Sequence, residues 1–193
     1  MIKENKIHDI FIETGVLQKG HFKLSSGRHA DKYLQCARVL QYPEYAQLFG
    51  KEIAELWNDK EIDVVIGPAI GGIVISYTVG QALEKRTVFS ERKEGIMKLR
   101  RGFEIKPSDN VLLVEDVVTT GGSVREVINL LENFGANIVG ISSLVDRSGG
   151  EVDFSYPFKS LLQIDVASYD PENCLLCENN IPINKPGSKK EEK

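Results

Sequence analysis

The chain has no apolar run long enough to cross a membrane and no excess of positive charge. Its 193 residues include 24 Lys and Arg against 28 Asp and Glu, which gives a net charge of −4 at pH 7. A membrane-spanning helix needs about 18 or more apolar residues in a row, and a nucleic-acid-binding domain normally has a basic face. We therefore expect neither a membrane nor a nucleic acid as a partner, so any anionic ligand must be bound by local groups.

Cysteine is also scarce. Cys36, Cys174 and Cys177 are an odd number and offer no disulfide framework, which suits a reducing compartment. The first residues, MIKENKIHD, contain acids and no apolar signal core. These features predict a cytoplasmic protein, and its length is enough for one domain whose core needs neither disulfides nor a structural metal.

The most informative stretch is Val111 to Arg125, VLLVEDVVTTGGSVR. Its first four residues are apolar and are typical of a strand buried on both faces. Two acids, Glu115 and Asp116, end this strand. Thr119 to Ser123 then have small side chains and precede a helical pattern, so their backbone N–H groups and the helix N-terminus can meet an anion. The order predicts a phosphate-binding loop beside two acids.

Strands and helices alternate along the rest of the chain, which predicts a mainly parallel, doubly wound α/β sheet with helices on both faces. Ligands of such sheets bind beyond the carboxyl ends of the strands. The predicted helices are residues 3–14, Pro43 to Trp57, Ile73 to Leu83 and the segment from Ser123 to Phe134. The other predicted strands are Ile62 to Ile66, Arg86 to Glu91, Asn137 to Leu144 and Leu161 to Val166.

The two ends of the chain are predicted to lie outside this sheet. A strand at His21 to Leu24 and an extended segment from Arg28 to Val39 suggest a hairpin, so residues 1–40 are expected to form an N-terminal helix and hairpin. Residues 41–166 are then the α/β core, and residues 167–193 a C-terminal tail that is disordered at its end. Within the core, residues 92–102 contain five cations, one acid and two glycines, which predicts a mobile, solvated loop.

Two acids beside an anion loop suit a ligand that carries both hydroxyls and a phosphate, such as ribose 5-phosphate. In this combination the sequence resembles the type I phosphoribosyltransferases, whose signature is an apolar strand, two acids, two apolar residues and then T-[TA]-G-[GT]-[ST]. The segments His21 to His29, Glu91 to Lys93 and Val145 to Arg147 resemble the orotate-using branch of that family. The resemblance extends from about Ile10 to Ile164.

The resemblance implies the type I phosphoribosyltransferase fold, with the N-terminal hairpin as a hood. It also implies Mg²⁺-dependent transfer of phosphoribosyl from 5-phosphoribosyl 1-diphosphate (PRPP) to orotate, which yields orotidine 5′-phosphate and pyrophosphate in pyrimidine biosynthesis. The PRPP-binding residues implied are Glu115, Asp116, Val117, Val118, Thr119, Thr120, Gly121, Gly122, Ser123, Gly71 and Gly72. Glu115 and Asp116 can hold the ribose hydroxyls directly or through Mg²⁺.

The same resemblance implies which residues contact the leaving group and which contact the base. Negative charge accumulates on the departing pyrophosphate, so cations must meet it. Arg92, Lys93 and Lys98, on a loop that closes over the site of a partner subunit in a homodimer, and Asp116 are the implied catalytic residues. The implied orotate-binding residues are Thr119, Arg147, Lys23 and Ser25, with the Arg147 guanidinium positioned for the carboxylate of orotate.

The sequence departs from the family pattern in two places. Many members carry a lysine and a histidine further along the catalytic loop, where this chain offers Lys98, Arg100 and Arg101 as candidates. Many members also have a lysine directly before Ser-Gly-Arg in the hairpin, where this chain has Ser25. Lys23 points to the same side of a strand as residue 25, so we expect it to supply the charge.

Each motif also has an ordinary structural explanation. A charge run is usually a solvated surface, Arg147 can form a salt bridge with neighbouring Asp146, and the glycines at 71 and 72 can simply start a helix. Cys174 and Cys177 have zinc-site spacing but supply only half of a four-ligand site. A four-cysteine site shared across a dimer is the alternative, and ordinary buried or reduced thiols are the preferred interpretation. The three histidines, His8, His21 and His29, are expected at the surface or in hydrogen bonds.

Two alternative functions share the opening motif. A purine phosphoribosyltransferase would have the same PRPP loop, but its base has no carboxylate for Arg147 to bind. A non-catalytic, PRPP-binding regulator of nucleic acid should show a basic face, whereas the sequence pI is about 5.5.

Overall fold

Two sheets organise the chain, a six-stranded sheet in the centre and a four-stranded sheet built from the two ends of the chain. The computed structural model describes residues 4–24 and 26–185. The helices are α1 (Glu4–Glu13), α2 (Ala37–Leu40), α3 (Pro43–Glu55), α4 (Gly71–Leu83), α5 (Gly122–Asn133) and α6 (Leu175–Glu178). The strands are β1 (Leu17–Lys23), β2 (His29–Leu34), β3 (Val64–Pro68), β4 (Arg86–Lys93), β5 (Ile96–Leu99), β6 (Asn110–Val118), β7 (Asn137–Asp146), β8 (Phe158–Gln163), β9 (Ser168–Tyr169) and β10 (Ile183–Asn184).

The central sheet has the strand order β5-β4-β3-β6-β7-β8 and is parallel except where β4 meets β5. Its alternate residues enter two separate cores. Val65 packs with α3 and α4 on one face, while Val64 and Ile66 pack with α5 on the other. The predicted doubly wound sheet with helices on both faces is therefore confirmed.

The predicted helices and core strands are present, with ends displaced by a few residues. The extended segment predicted from Arg28 to Val39 is wrong in its second half, because β2 ends at Leu34 and residues 37–40 form α2. Val39 and Leu40 are consecutive and both buried. A strand would send two consecutive side chains to opposite faces, whereas a helical turn lets both enter the same core.

The stretch predicted as a mobile loop, residues 92–102, is largely a β-hairpin. β4 continues to Lys93 and pairs with antiparallel β5, and Glu94 and Gly95 form the turn with φ of 56° and 78°. Two consecutive residues with positive φ fit the two-residue turns that match the twist of paired strands. The sequence did not indicate this hairpin, because its residues are largely charged and only Met97 of β5 is buried.

The C-terminal tail completes the hood sheet, whose order is β10-β1-β2-β9. β9 pairs with β2 and β10 pairs with β1, so the tail contacts both edges of the predicted N-terminal hairpin. The predicted disordered end of the tail, residues 186–193, lies outside the described residues, as does Ser25. Across the described ranges, no helix combines the length and apolarity required to span a bilayer.

Candidate active site

A polar cavity of about 210 Å³ lies at the carboxyl end of β6. It is bounded by the end of β6, the loop that follows it, the start of α5 and one side chain of β4. Its lining residues are Arg92, Glu115, Val117, Val118, Thr119, Thr120, Gly121, Gly122, Ser123, Val124 and Glu126. Except for Asp116, Gly71 and Gly72, the residues predicted to bind PRPP thus line one cavity.

The loop after β6 is shaped by Gly121. Its φ is +75°, and a Cβ there would lie 2.6 Å from the ring of Phe154, so both the backbone conformation and the space require glycine. The chain enters α5 at Gly122 directly after this residue. The first N–H groups of a helix have no partner within the helix, so this end of α5 gives the cavity donors for an anion.

The glycine turn after β3 lies against the two acids of β6. A Cβ on Gly71 would be 2.6 Å from Asp116 Oδ1, and a Cβ on Gly72 would be 3.2 Å from Glu115 Oε1. The peptide bond between Ala69 and Ile70, which leads into this turn, is cis. The structure therefore brings the two predicted PRPP-binding glycines to the acid pair, although they come from a different βα unit.

Both acids are held by backbone donors. The Asp116 N–H donates to Glu115 Oε1 at 3.1 Å, and the Val117 N–H donates to Asp116 Oδ1 at 2.8 Å. Glu115 is buried, and burial raises the pKa of its carboxyl well above the usual range. The charge of Asp116 raises that pKa further, while nearby Arg92 acts in the opposite direction. The Glu115 carboxyl is thus harder to ionise than a solvent-exposed glutamate, and a bound cation would favour its ionised form.

We expect Glu115→Gln to stabilise the ligand-free protein at neutral pH. The folded state keeps the Glu115 proton at pH values where the unfolded chain, with a pKa of about 4.3, has lost it, so wild-type stability falls as pH rises from that value through the raised pKa. Each pKa unit corresponds to about 1.4 kcal/mol, and glutamine does not ionise. Urea unfolding at about pH 5 and pH 8 measures the difference.

The control for this substitution is Glu61→Gln, at an exposed position. It removes the same charge without removing a buried carboxyl, so the stability of that variant should keep the wild-type dependence on pH. Equal pH dependence of Glu115→Gln and the wild-type protein would contradict the expected burial effect.

Arg92 of β4 reaches this cavity in its own chain. Its Nε and Nη2 donate to the two carboxylate oxygens of Glu126 at 2.9 and 3.0 Å, and Nη2 also donates to Ser123 Oγ at 3.1 Å. The hydrogen bond to Glu126 raises the pKa of Arg92. Arg92 is therefore a fixed cation above the N-terminus of α5. Glu126, which sequence reasoning missed, lies one helical turn after Ser123.

The other predicted loop cations face away from this cavity. Side chains alternate along a strand and share a face with the residue directly opposite, so Lys93, Glu91 and Lys98 lie on one face of the hairpin and Arg92 on the other. Arg100 and Arg101 pair with Glu91 at 3.1 and 3.0 Å. Within the described part of the chain, Lys93 and Lys98 have no ion pair, which leaves both free to meet an external anion.

Arg147 follows β7 at the same edge of the sheet. Its N–H donates to the carbonyl oxygen of Val118 at 2.8 Å, and its guanidinium lies in the field of Tyr33 and Cys36 from the N-terminal part of the chain. Burial lowers the pKa of Arg147, against a smaller upward effect of those two groups.

Asp146 was the alternative partner predicted for Arg147, but its carboxylate accepts a hydrogen bond from another residue. The carboxylate of Asp146 accepts from the Ser148 N–H at 2.8 Å, and the described residues include no ion pair between Asp146 and Arg147. Thr119 lines the cavity next to Val118, while Lys23 is exposed at the end of β1. The proximity of Tyr33 could not have been found from the sequence, because no local pattern connects it to β7.

Residues 36–174 match the family model described as a phosphoribosyl transferase domain. An orotate phosphoribosyltransferase of Thermoanaerobacter sp. (strain X514) is 54% identical over 189 residues, which cover 98% of this chain and 100% of that protein. The orotate phosphoribosyltransferase of Thermotoga maritima is 54% identical over 183 residues, covering 95% and 98%. Among solved structures, the orotate phosphoribosyltransferase from Aeropyrum pernix has a TM-score of 0.72 at 23% identity, covering 82% of this chain and 93% of that chain, and shares the fold.

Proposed function

The chain belongs to the phosphoribosyltransferase family and is similar over its length to orotate phosphoribosyltransferases, and on that basis we propose that it transfers phosphoribosyl from PRPP to orotate with Mg²⁺. As a family member it is a pentosyltransferase. The observation that carries the proposal is the convergence of the loop 119–123, the acid pair and the Gly71 turn at one sheet edge. The proposal includes a role in pyrimidine biosynthesis and a cytoplasmic location.

The donor would be held at its 5-phosphate and at its ribose hydroxyls. The N–H groups of the loop 119–123 and of α5 bind the 5-phosphate, while Glu115 and Asp116 bind the ribose hydroxyls. Carboxylate oxygens are ligands that suit Mg²⁺, and the carboxylates of Glu115 and Asp116 lie together here against the Gly71 turn. Mg²⁺, when bound with PRPP, would supply positive charge to the pyrophosphate and would favour the ionised form of Glu115.

The departing pyrophosphate would be met by cations from two subunits. Arg92 lies over the α5 N-terminus of its own chain, whereas Lys93 and Lys98 lie on the opposite face of the hairpin. We assign the place of the family's missing loop cation to Lys98, because Arg100 and Arg101 are already paired with Glu91. Lys93 and Lys98 then act in the site of a second copy.

An exposed apolar patch beside that hairpin face supports the homodimer. Val74 and Tyr77 of α4 are 42% and 65% exposed, and with Phe89 of β4 they border a largely apolar cavity of about 370 Å³. Phe89 lies on the same strand face as Lys93, because the two are four residues apart on β4. Apolar patches of this kind mark interaction surfaces, so a second copy docked here would receive both lysines.

The acceptor would be selected by Arg147 and Thr119. A guanidinium binds a carboxylate with two parallel hydrogen bonds, and Arg147 has no competing ion pair with Asp146 among the residues that the structure describes. Thr119 can hydrogen-bond the edge of the orotate ring, and Lys23 can add positive charge from the hood. A purine, which has no carboxylate, would leave the half-buried guanidinium of Arg147 unpaired.

The direct test is the loss of orotate absorbance in the presence of PRPP and Mg²⁺. Hypoxanthine, guanine and uracil are run in parallel. We expect orotate to be consumed and the other three bases to react far more slowly. Consumption of a purine in place of orotate would favour the purine enzyme, and PRPP binding without turnover of any base would favour the regulator.

A further inference from the structure

Four metal-binding side chains meet in the hood sheet, away from the proposed active site. They are His21 of β1, His29 of β2, Cys174 and Cys177. Their ligand atoms all lie within 4.8 Å of one another, and His21, His29 and Cys174 are buried. In the sequence, Cys174 and Cys177 supply only two of the four ligands that a zinc site needs. The fold supplies the missing half from the other end of the chain.

The distances between the ligand atoms are close to those of a tetrahedral zinc site. Zn–N distances of about 2.0 Å and Zn–S distances of about 2.3 Å place tetrahedral ligand atoms about 3.3 to 3.8 Å apart. His21 Nε2 lies 3.7 Å from Cys174 Sγ and 3.8 Å from Cys177 Sγ, and His29 Nδ1 lies 3.3 Å from Cys177 Sγ. The two nitrogens are 2.9 Å apart and the widest spacing within the group is 4.8 Å, so side-chain shifts of up to about 1 Å would bring all four ligand atoms to the spacing of a zinc site.

The other ring nitrogen of His21 fixes its tautomer. Nδ1 lies 2.7 Å from the carbonyl oxygen of Ile181, which can only accept, so Nδ1 carries the proton and Nε2 offers a lone pair. Metal-bound histidines usually donate their second N–H in this way. Three groups converge on this one lone pair, namely His29 and both thiols. A single hydrogen bond does not account for that arrangement, whereas a shared metal ion does.

Charge balance favours a divalent ion at this position, where three of the four ligands are buried and Cys177 is exposed. Two cysteines bind Zn²⁺ as thiolates and release two protons, while two neutral imidazoles add no charge, so the complete site is neutral. A neutral site avoids the cost of burying an unpaired charge. Two sulfur and two nitrogen ligands in a compact set are a common structural combination for zinc.

Apolar packing does little to hold the segment that carries the cysteines. The short 3-10 helix Pro171–Asn173 and α6 contain no buried residue, and β9 and β10 are two residues each. Leu175 and Ile183 are 60% and 42% exposed. The exposed ion pair between Arg28 and Asp170 adds little, since such pairs contribute about 0 to 1 kcal/mol. The position of this segment thus needs another source of stability.

We propose that His21, His29, Cys174 and Cys177 bind one structural Zn²⁺ ion that fixes the C-terminal segment to the N-terminal hairpin. The ion links residues up to 156 positions apart in the chain. It also holds the hairpin whose turn leads from Lys23 to Arg28, and so positions the hood above the proposed orotate site. This inference does not depend on the identity of the base.

The test is the zinc content of the full chain, prepared without a histidine tag or chelator and measured by plasma mass spectrometry. We expect about one zinc per chain, and near zero in the double variant C174S/C177S and in His29→Ala. His8→Ala, which removes an exposed histidine of α1, is the matched control and should keep its zinc. Cobalt substitution should give a thiolate-to-cobalt charge-transfer band and the intense visible bands of tetrahedral Co²⁺ in wild type only.

A second measurement does not depend on the variants folding. Chelation of wild-type protein should make residues 167–185 sensitive to protease while the α/β core stays resistant, and added Zn²⁺ should reverse the effect. The proposal is overturned if protein purified in zinc-containing buffer holds no stoichiometric zinc, if it holds iron instead, or if the double variant binds as much zinc as His8→Ala. Protease resistance that chelation leaves unchanged would overturn the structural role.

Discussion

Lys93→Ala and Asp116→Ala subunits, each nearly inactive alone, are expected to recover about a quarter of wild-type turnover when they are co-expressed in equal amounts. In a homodimer with shared sites, random pairing makes about half of the dimers mixed. Each mixed dimer then has one site with both defects and one site with neither. Loss of either residue alone should lower kcat by about 100-fold or more, because we propose that both act on charge at the reacting centre.

The geometry of the β4–β5 hairpin is the reason for this expectation. Lys93 lies on the face opposite to Arg92, and it is Arg92 that reaches the cavity next to Ser123 in the same chain. The apolar cavity bordered by Tyr77 and Phe89 is on the Lys93 side. A partner docked there places Lys93 in the partner's site and leaves Arg92 in its own.

The matched control is a mixture of Arg92→Ala with Asp116→Ala. Both defects then belong to the site of their own chain, so every site in a mixed dimer is defective and no activity should return. Val74→Glu, which puts a charge in the exposed apolar patch, should give monomers in sedimentation experiments and lower turnover. If the Lys93→Ala mixture shows no recovery although mixed dimers are isolated, the lysine acts within its own chain.

Replacement of Arg147 is expected to remove the preference for orotate. Arg147→Ala should raise the KM for orotate by about 100-fold or more, because truncating one partner of a buried charge pair costs about 2 to 5 kcal/mol. The KM for PRPP should change little, since we propose that the donor is bound by the loop 119–123 and the acid pair. The KM of Arg147→Lys for orotate should lie between those of the wild type and Arg147→Ala, because an ammonium keeps the charge but cannot form the bidentate pair.

Uracil provides the internal control for this prediction, since it is orotate without the carboxylate. In the wild-type protein, orotate should be preferred strongly in kcat/KM. In Arg147→Ala the ratio of kcat/KM for orotate to kcat/KM for uracil should fall towards one, because uracil has no carboxylate to pair with the guanidinium. An unchanged ratio would show that Arg147 is a structural residue and that the carboxylate is recognised elsewhere, with Lys23 the next candidate.

The central fold and the position of the loop 119–123 could be predicted because both depend on local patterns. Apolar runs such as Val111 to Val114 identify buried strands, and the residues that follow must lie at the carboxyl edge of a parallel sheet. Only Val117 and Val118 separate the acid pair from the loop 119–123, so one short motif places both. The hairpin of residues 92–99 was missed because its turn depends on the backbone conformation of Glu94 and Gly95, whereas its composition is that of a charged loop.

Long-range pairings could not be predicted in the same way. Nothing in the sequence shows that Gly71 approaches Asp116 or that Arg92 and Lys93 lie on different faces of the hairpin. Nor does it show that Asp146 accepts from the Ser148 N–H and, among the described residues, forms no ion pair with Arg147. Each of these contacts depends on which face of a strand meets its neighbours. A register shift of one residue would turn the side chains of a strand to the other face of the sheet.

By itself, the sequence determined the family, the α/β architecture and the position of the loop 119–123 at the sheet edge, because each is encoded in residues that are neighbours along the chain. Tertiary structure alone decided which cations face the cavity of their own chain and which ligands complete the cysteine pair. His21 and His29 lie about 150 residues before Cys174 and Cys177, and only the pairing of β9 and β10 with the hairpin brings them together. Contacts between the two ends of a chain have no local sequence pattern, since they depend on how the whole sheet closes.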